Sequence, residues 1–134
     1  MHPNMAKLVE KELSYKIMGV LFDVHSKLGG RYQEKYYQRA VEEGLKKAGL
    51  SYKKEIQTDL LYNDKKIGKY TLDFLIDNKV VLELKAVPRL RLNDFKQLVA
   101  YLKATNLEIG ILANFSGDKL YYKRILNPLL KNSG

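Results

Sequence analysis

Residues 71–86 read TLDFLIDNKVVLELKA. Two apolar runs flank Asp77-Asn78-Lys79, which is the pattern of a β-hairpin. Asp73, Glu83 and Lys85 interrupt those runs, and charge in a packed sheet is costly unless it is paired or bound to a metal. Strand side chains alternate between faces, so the pairing register decides which residues share a side. A two-residue turn at Asp77-Asn78 sets Asp73 opposite Leu82 and mixes apolar with charged residues on both faces. A three-residue loop pairs Ile76 with Val80 and Asp73 with Glu83. Leu72, Phe74, Ile76, Val80, Leu82 and Leu84 then make a wholly apolar face, so the binary pattern selects the three-residue loop. The other face holds Thr71, Asp73, Leu75, Val81, Glu83 and Lys85, polar at the end far from the turn.

Two facing carboxylates repel unless something positive sits between them. Lys85 can do this alone, which leaves a salt-bridged strand end at the rim of the sheet. A divalent cation can do it too, and oxygen-only ligands suit Mg²⁺ or Mn²⁺. Both readings stand on these three residues.

Upstream, Ile17, Leu21, Val24 and Leu28 recur at helical spacing over residues 6–28, with Gly29-Gly30 as the stop. A second helix, residues 33–48, carries the stripe Tyr37, Val41 and Leu45 before Gly49. Glu34 begins that inward stripe. An acid in a first turn is explained by the helix dipole, but one that faces the core needs a partner, and the Asp73/Glu83/Lys85 group supplies one. Residues 52–62 form a first strand and residues 63–66 a turn, and the hairpin strands run over 67–76 and 79–85. After Pro88, Asn93 is the expected cap of a third helix reaching Thr105. Strands follow at 109–115 and 119–125, and residues 131–134 read as a frayed end. Helix, helix, three strands, helix, two strands is the order of an α/β domain around one mixed sheet.

The chain's 134 residues suffice for one hydrophobic core. It has no cysteine, which excludes disulfides and cysteine-based zinc sites and fits a reducing compartment. No apolar run approaches the roughly 20 residues of a membrane span, and the opening MHPNMAKLVEKEL lacks a signal-peptide core. The expectation is a soluble cytoplasmic protein. A net charge of +9 favours polyanions, nucleic acid first, and equally describes a lysine-rich soluble surface. His25 lies in a largely apolar helix and reads as a satisfied or solvent-facing residue rather than a general base. Among the ten tyrosines, Tyr36-Tyr37 and Tyr121-Tyr122 are candidates to stack bases, most of the others being core or rim.

Asp73 followed after nine residues by Glu83-Leu84-Lys85 resembles the PD-(D/E)XK nuclease signature, with Leu72-Asp73 at its PD. Gln97 and Tyr101, i,i+4 neighbours beside the stripe Phe95, Leu98, Val99 and Leu102, resemble the Gln-x-x-x-Tyr motif of exonuclease-type members. HSKLGGRYQEKYYQRAV (residues 25–41) resembles the opening of the GxxExxY family of that superfamily, as do VLELKA, QLVAYLKAT and IGILANF. The family's glutamate falls on Glu34 and its tyrosine on Tyr37. Its glycine falls on Arg31 and its proline-like position on Gly30. The resemblance spans roughly residues 15–127.

It implies a restriction-endonuclease-like α/β core with a central mixed sheet, one domain over residues 1–134 with an ordered core at about 5–127 and a tail at 128–134. It further implies a metal-dependent nuclease acting on nucleic acid, DNA ahead of RNA. Asp73 and Glu83 would be Mg²⁺ (or Mn²⁺) ligands, the Leu84 carbonyl a third oxygen, and Glu34 an additional ligand or base. Lys85 would orient or activate the attacking water, with Gln97 and Tyr101 positioning the lysine or the scissile phosphate. Arg89, Arg91, Lys96 and Lys103 are candidate phosphate contacts, or merely solubilising surface charge. A non-catalytic nucleic-acid-binding module and a regulatory interaction subunit are the competing readings, and self-association as a homodimer would extend so small a surface.

Overall fold

The computed structural model describes residues 10–129. The expected helical turn at residues 6–9 and the frayed end at 131–134 lie outside the described residues. Three helices and five strands follow one another as α1 (Lys11–Leu28), α2 (Glu34–Lys47), β1 (Tyr52–Tyr62), β2 (Lys65–Ile76), β3 (Val80–Lys85), α3 (Leu92–Thr105), β4 (Ile109–Asn114) and β5 (Tyr121–Leu126). The strands form one sheet in the order β1-β2-β3-β4-β5. Every neighbouring pair is antiparallel except β3 and β4, which are parallel and joined by the α3 crossover. Among the described residues, no helix is long and apolar enough to cross a membrane.

β3 (VVLELK) and β4 (IGILAN) are the most apolar strands because they lie between two layers of helix. On one face α1 and α2 bring Ile17, Leu21, Tyr37, Val41 and Leu45 onto Phe74, Ile76, Val80, Leu82 and Leu84. On the other, α3 brings Leu98, Tyr101 and Leu102 onto Leu72, Val81 and Leu112. The helical spacing of both stripes thus buries one face of each helix, as the periodicity requires. Beyond β3's reach, β1 and β2 continue as a two-stranded ribbon whose tip exposes Leu60, Leu61, Tyr62 and Ile67.

The hairpin adopts the three-residue loop: Ile76 pairs with Val80, Leu75 with Val81 and Phe74 with Leu82. Asp77 and Asn78 take left-handed backbone angles (φ 53° and 55°), which short polar side chains tolerate. One expectation fails. Leu72 does not share a core with Phe74, but packs with Val81 under α3. The strict alternation is broken at Asp73, beside which Glu55 of β1 has a φ of 53° between the pairs Lys54–Phe74 and Ile56–Leu72. Other boundaries shift for local reasons. Asn63-Asp64 alone make the turn, both left-handed, so β2 starts at Lys65. β5 begins at Tyr121 rather than Lys119. Helix α3 begins at Leu92 with Arg91 rather than Asn93 at its N-cap, and Asp94 Oδ2 reaches back to accept the Arg91 amide at 2.8 Å.

Candidate metal and phosphate site

The β2–β3 ladder stops where the charges begin. Beyond Phe74–Leu82, carboxylates take up the strand amides: the Asp73 amide donates to Glu83 Oε1 (3.0 Å), and the Leu84 amide to Asp73 Oδ2 (2.7 Å). Asp73 and Glu83 therefore face one another at the open end of the hairpin, as the register demanded. Leu84 joins the cluster through its amide. Its side chain is in the core.

Helix α2 delivers the next group. Gln38 Nε2 donates to Asp73 Oδ1 at 2.7 Å and to Glu34 Oε2 at 3.1 Å, bridging two carboxylates with one neutral amide. The start of α2 is fixed by Tyr37, which is fully buried and stacks on Phe115 with ring centroids 4.6 Å apart. Its hydroxyl donates to the Gly29 carbonyl and accepts the Tyr32 amide, tying down the loop that leads to Glu34. Gly30 in that loop presses on Gly117, so that a Cβ there would lie 2.0 Å from the Gly117 carbonyl oxygen. His25 Nε2 lies 3.0 Å from the same oxygen. His25 thus belongs to this strut rather than to the chemistry, in keeping with its reading as a satisfied residue.

Lys85 Nζ lies 3.9 Å from Glu83 Oε2 and 3.7 Å from Asp94 Oδ1. Asp94 and Gln38 were not singled out in the sequence. An acid in the first turn of the helix after the lysine strand is a signal for Asp94, whereas Gln38 offers only its i,i+4 spacing from Glu34. The Gln-x-x-x-Tyr pair lies apart from the charges. Tyr101 is 5% exposed in the α3 core, and the Gln97 carbonyl accepts the Tyr70 hydroxyl at 2.8 Å. Among the described residues, no hydrogen bond joins Gln97 or Tyr101 to the carboxylates or to Lys85.

Two open clefts border the cluster. One, about 630 Å³, is lined by Glu34, Lys35, Gln38, Arg39, Lys54 and Asp73 among others. The second, about 540 Å³, is lined by Glu34, Lys85, Arg89, Arg91 and Asp94 among others. Arg89 and Arg91 therefore stand beside Lys85, while Lys96 and Lys103 are exposed on α3 and line neither cleft.

The electrostatics follow from burial. Glu83, only 7% exposed, is pushed up to about 9, chiefly by desolvation and then by Asp73, with Lys85 opposing. Burial also raises Asp73, against the pull of the Leu84 amide. Glu34 is raised by burial and then by Asp73. Three carboxylates that each resist ionisation call for positive charge. Among the described residues, no three carboxylate or imidazole groups form a ready-made metal cage. The donors present are nevertheless hard oxygens in a carboxylate pair, which fits a Mg²⁺-type ion that uses one or two carboxylates and completes its shell with water and phosphate.

Against known proteins, a family model described as the PD-(D/E)XK nuclease superfamily matches residues 11–125. The crystal structure of SSO0001 is similar, with 28% sequence identity and a TM-score of 0.55 over 72% of this chain. This chain spans about half of that one (51%). No curated protein matches. The five-stranded mixed sheet with flanking helices agrees with the restriction-endonuclease-like core expected from the sequence.

Proposed function

This chain belongs to the PD-(D/E)XK nuclease superfamily, and we propose that it is a metal-dependent nuclease hydrolysing phosphodiester bonds of nucleic acid, DNA ahead of RNA. The observation that carries the proposal is the facing pair Asp73 and Glu83 with Lys85 beside it and Glu34 linked through Gln38. In this reading Asp73 and Glu83 hold Mg²⁺ or Mn²⁺, with the Leu84 carbonyl and Glu34 as further oxygen donors. The ion, when bound, supplies positive charge against the phosphoryl oxygens and makes a neighbouring water more acidic.

The chain's own groups do the rest. Lys85, held between Glu83 and Asp94, orients the attacking water and offsets charge building on the phosphate. The water oxygen bonds to phosphorus in line with the departing sugar oxygen, which takes up a proton. Gln38 keeps Asp73 and Glu34 at a fixed spacing. Tyr101 and Gln97 act at a distance, by seating α3 against the sheet under β2 and β3. We also place the chain in the GxxExxY branch, since Tyr37 is the buried strut that sets Glu34 at the cluster, and in the cytoplasm.

A binding-only module is favoured by one observation, that both carboxylates already accept backbone amides. Incubating single- and double-stranded DNA and RNA with Mg²⁺, Mn²⁺ or EDTA decides between the two, with Asp73→Ala and Lys85→Ala as controls. Cleavage that survives EDTA or both substitutions would sink the nuclease proposal, and salt-sensitive binding without cleavage would favour the module.

A further inference from the structure

Glu34 is shared by the two clefts, while Asp73 opens only to the first and Lys85 only to the second. The reactive cluster is therefore a saddle between two open depressions rather than the floor of one pit. Each side carries cations suited to phosphate: Lys35, Arg39 and Lys54 on one, where Glu42 and Glu55 also line the cleft, and Arg89 and Arg91 on the other. On the first side Lys54 is already paired with Glu42 at 3.1 Å, which leaves Lys35 and Arg39, both over the Tyr36 ring, as the principal cations. At about 630 and 540 Å³, each cleft is in the range of ligand sites, ~300–1,000 Å³, and has room for a short run of one strand.

From this we infer that one polynucleotide strand crosses the saddle from cleft to cleft, with chain continuing on both sides, and is cut internally. An enzyme that trims ends must recognise a terminus, and so needs its reacting phosphate near a wall. Here both directions away from Glu34 lead into open space that offers cations, Lys35 and Arg39 among acids on the first side and Arg89 and Arg91 on the second. Gln97 and Tyr101, the pair that resembles an exonuclease-type motif, line neither cleft. The inference rests on the proposed nuclease function and adds the mode of attack. Cutting a closed circle consumes one water. Its oxygen bonds to phosphorus as one P–O bond to sugar breaks, and its protons pass to the freed sugar oxygen and to solvent. A circle becomes a line with one phosphate end and one hydroxyl end.

The test uses linear and covalently closed circular single strands of the same sequence, as DNA and as RNA, with Mg²⁺ or Mn²⁺. The expected result is unit-length linear product from the circle before shorter fragments, at a rate within about tenfold of the linear strand. Shortening of the linear strand while the circle persists overturns the inference and leaves the nuclease function standing. Failure to cut either form removes that function and the inference with it. A second readout needs no catalysis. In EDTA, Arg39→Glu and Arg91→Glu should each weaken binding of the circle and lower its salt dependence by about one released ion. Should only one side matter, the strand does not cross the saddle.

Discussion

The two ends of the β2–β3 hairpin are built from the same two strands and obey different rules. At the turn end, Ile76 and Val80 are fully buried and joined by an ordinary ladder. At the open end, Asp73 and Glu83 replace ladder bonds with carboxylate–amide bonds, and all three nearby acids are held away from their ionised forms. The turn end stabilises the sheet. The open end draws on that stability to keep three carboxyl groups together, which is how strain comes to be stored at functional sites. The regular core makes the irregular end possible, because all six residues of β3 are paired with β4 and three of them with β2 as well.

Substitutions separate the two ends. At the open end, Asp73→Asn should lower cleavage by about 10³-fold or more, about 4 kcal/mol of transition-state stabilisation. Its melting temperature should change little, because relief of the repulsion between Asp73 and Glu83 offsets the loss of one of the two hydrogen bonds that the Asp73 oxygens accept. A clear drop in melting temperature would make Asp73 a structural residue.

The pH dependence of the metal-free protein comes next. An acid raised in the folded state binds more protons there than in the unfolded chain, so its stabilisation is complete below the unfolded value and is lost as pH rises towards the folded one. For Glu83 that window runs from 4.5 to about 9. Urea midpoints should therefore fall from about pH 5 to 9, with a slope of up to about 1.4 kcal/mol per pH unit for one proton. Asp73→Asn, or added Mg²⁺, should flatten the curve, and a curve rising with pH contradicts the assigned burial.

At the turn end, Leu82→Ala should cost about 3 kcal/mol in urea unfolding by opening a core cavity. Cleavage per folded molecule, measured well below the transition, should stay within about twofold. Equal loss of activity and stability would mean the two ends are not separable. The smallest effect is expected of Gln38→Ala, about tenfold in cleavage and about 1 kcal/mol or less in stability, from the loss of the amide bridging Glu34 and Asp73. An unchanged cleavage rate would show that the bridge is incidental.

The hairpin register was legible because the alternative register mixes apolar and charged residues on both faces, and only one gathers the apolar residues on one side. The α2 stripe was legible for the same reason, Tyr37, Val41 and Leu45 all being fully buried. The break in alternation at Asp73 was not legible. It depends on Glu55 of the neighbouring strand and on amide donors that the carboxylates capture. Leu72 was accordingly assigned to the wrong side, since period-two reasoning assumes a regular strand. The place of Gln97 and Tyr101 was half legible: their face turns to the sheet, but the reach of a side chain across a layer is not written in i,i+4 spacing.

By itself, then, the sequence determined the order of elements, the three-residue loop and the meeting of Asp73 with Glu83, because burial of apolar surface rules out the alternatives. Only the tertiary structure decided that Gln38 ties Glu34 to Asp73 and that Asp94 shares Lys85. It also decided that the cluster sits between two clefts. Those contacts join α2 to β2 and β3 to α3, and the packing of helices on a twisted sheet sets them, where no pattern along the chain reaches.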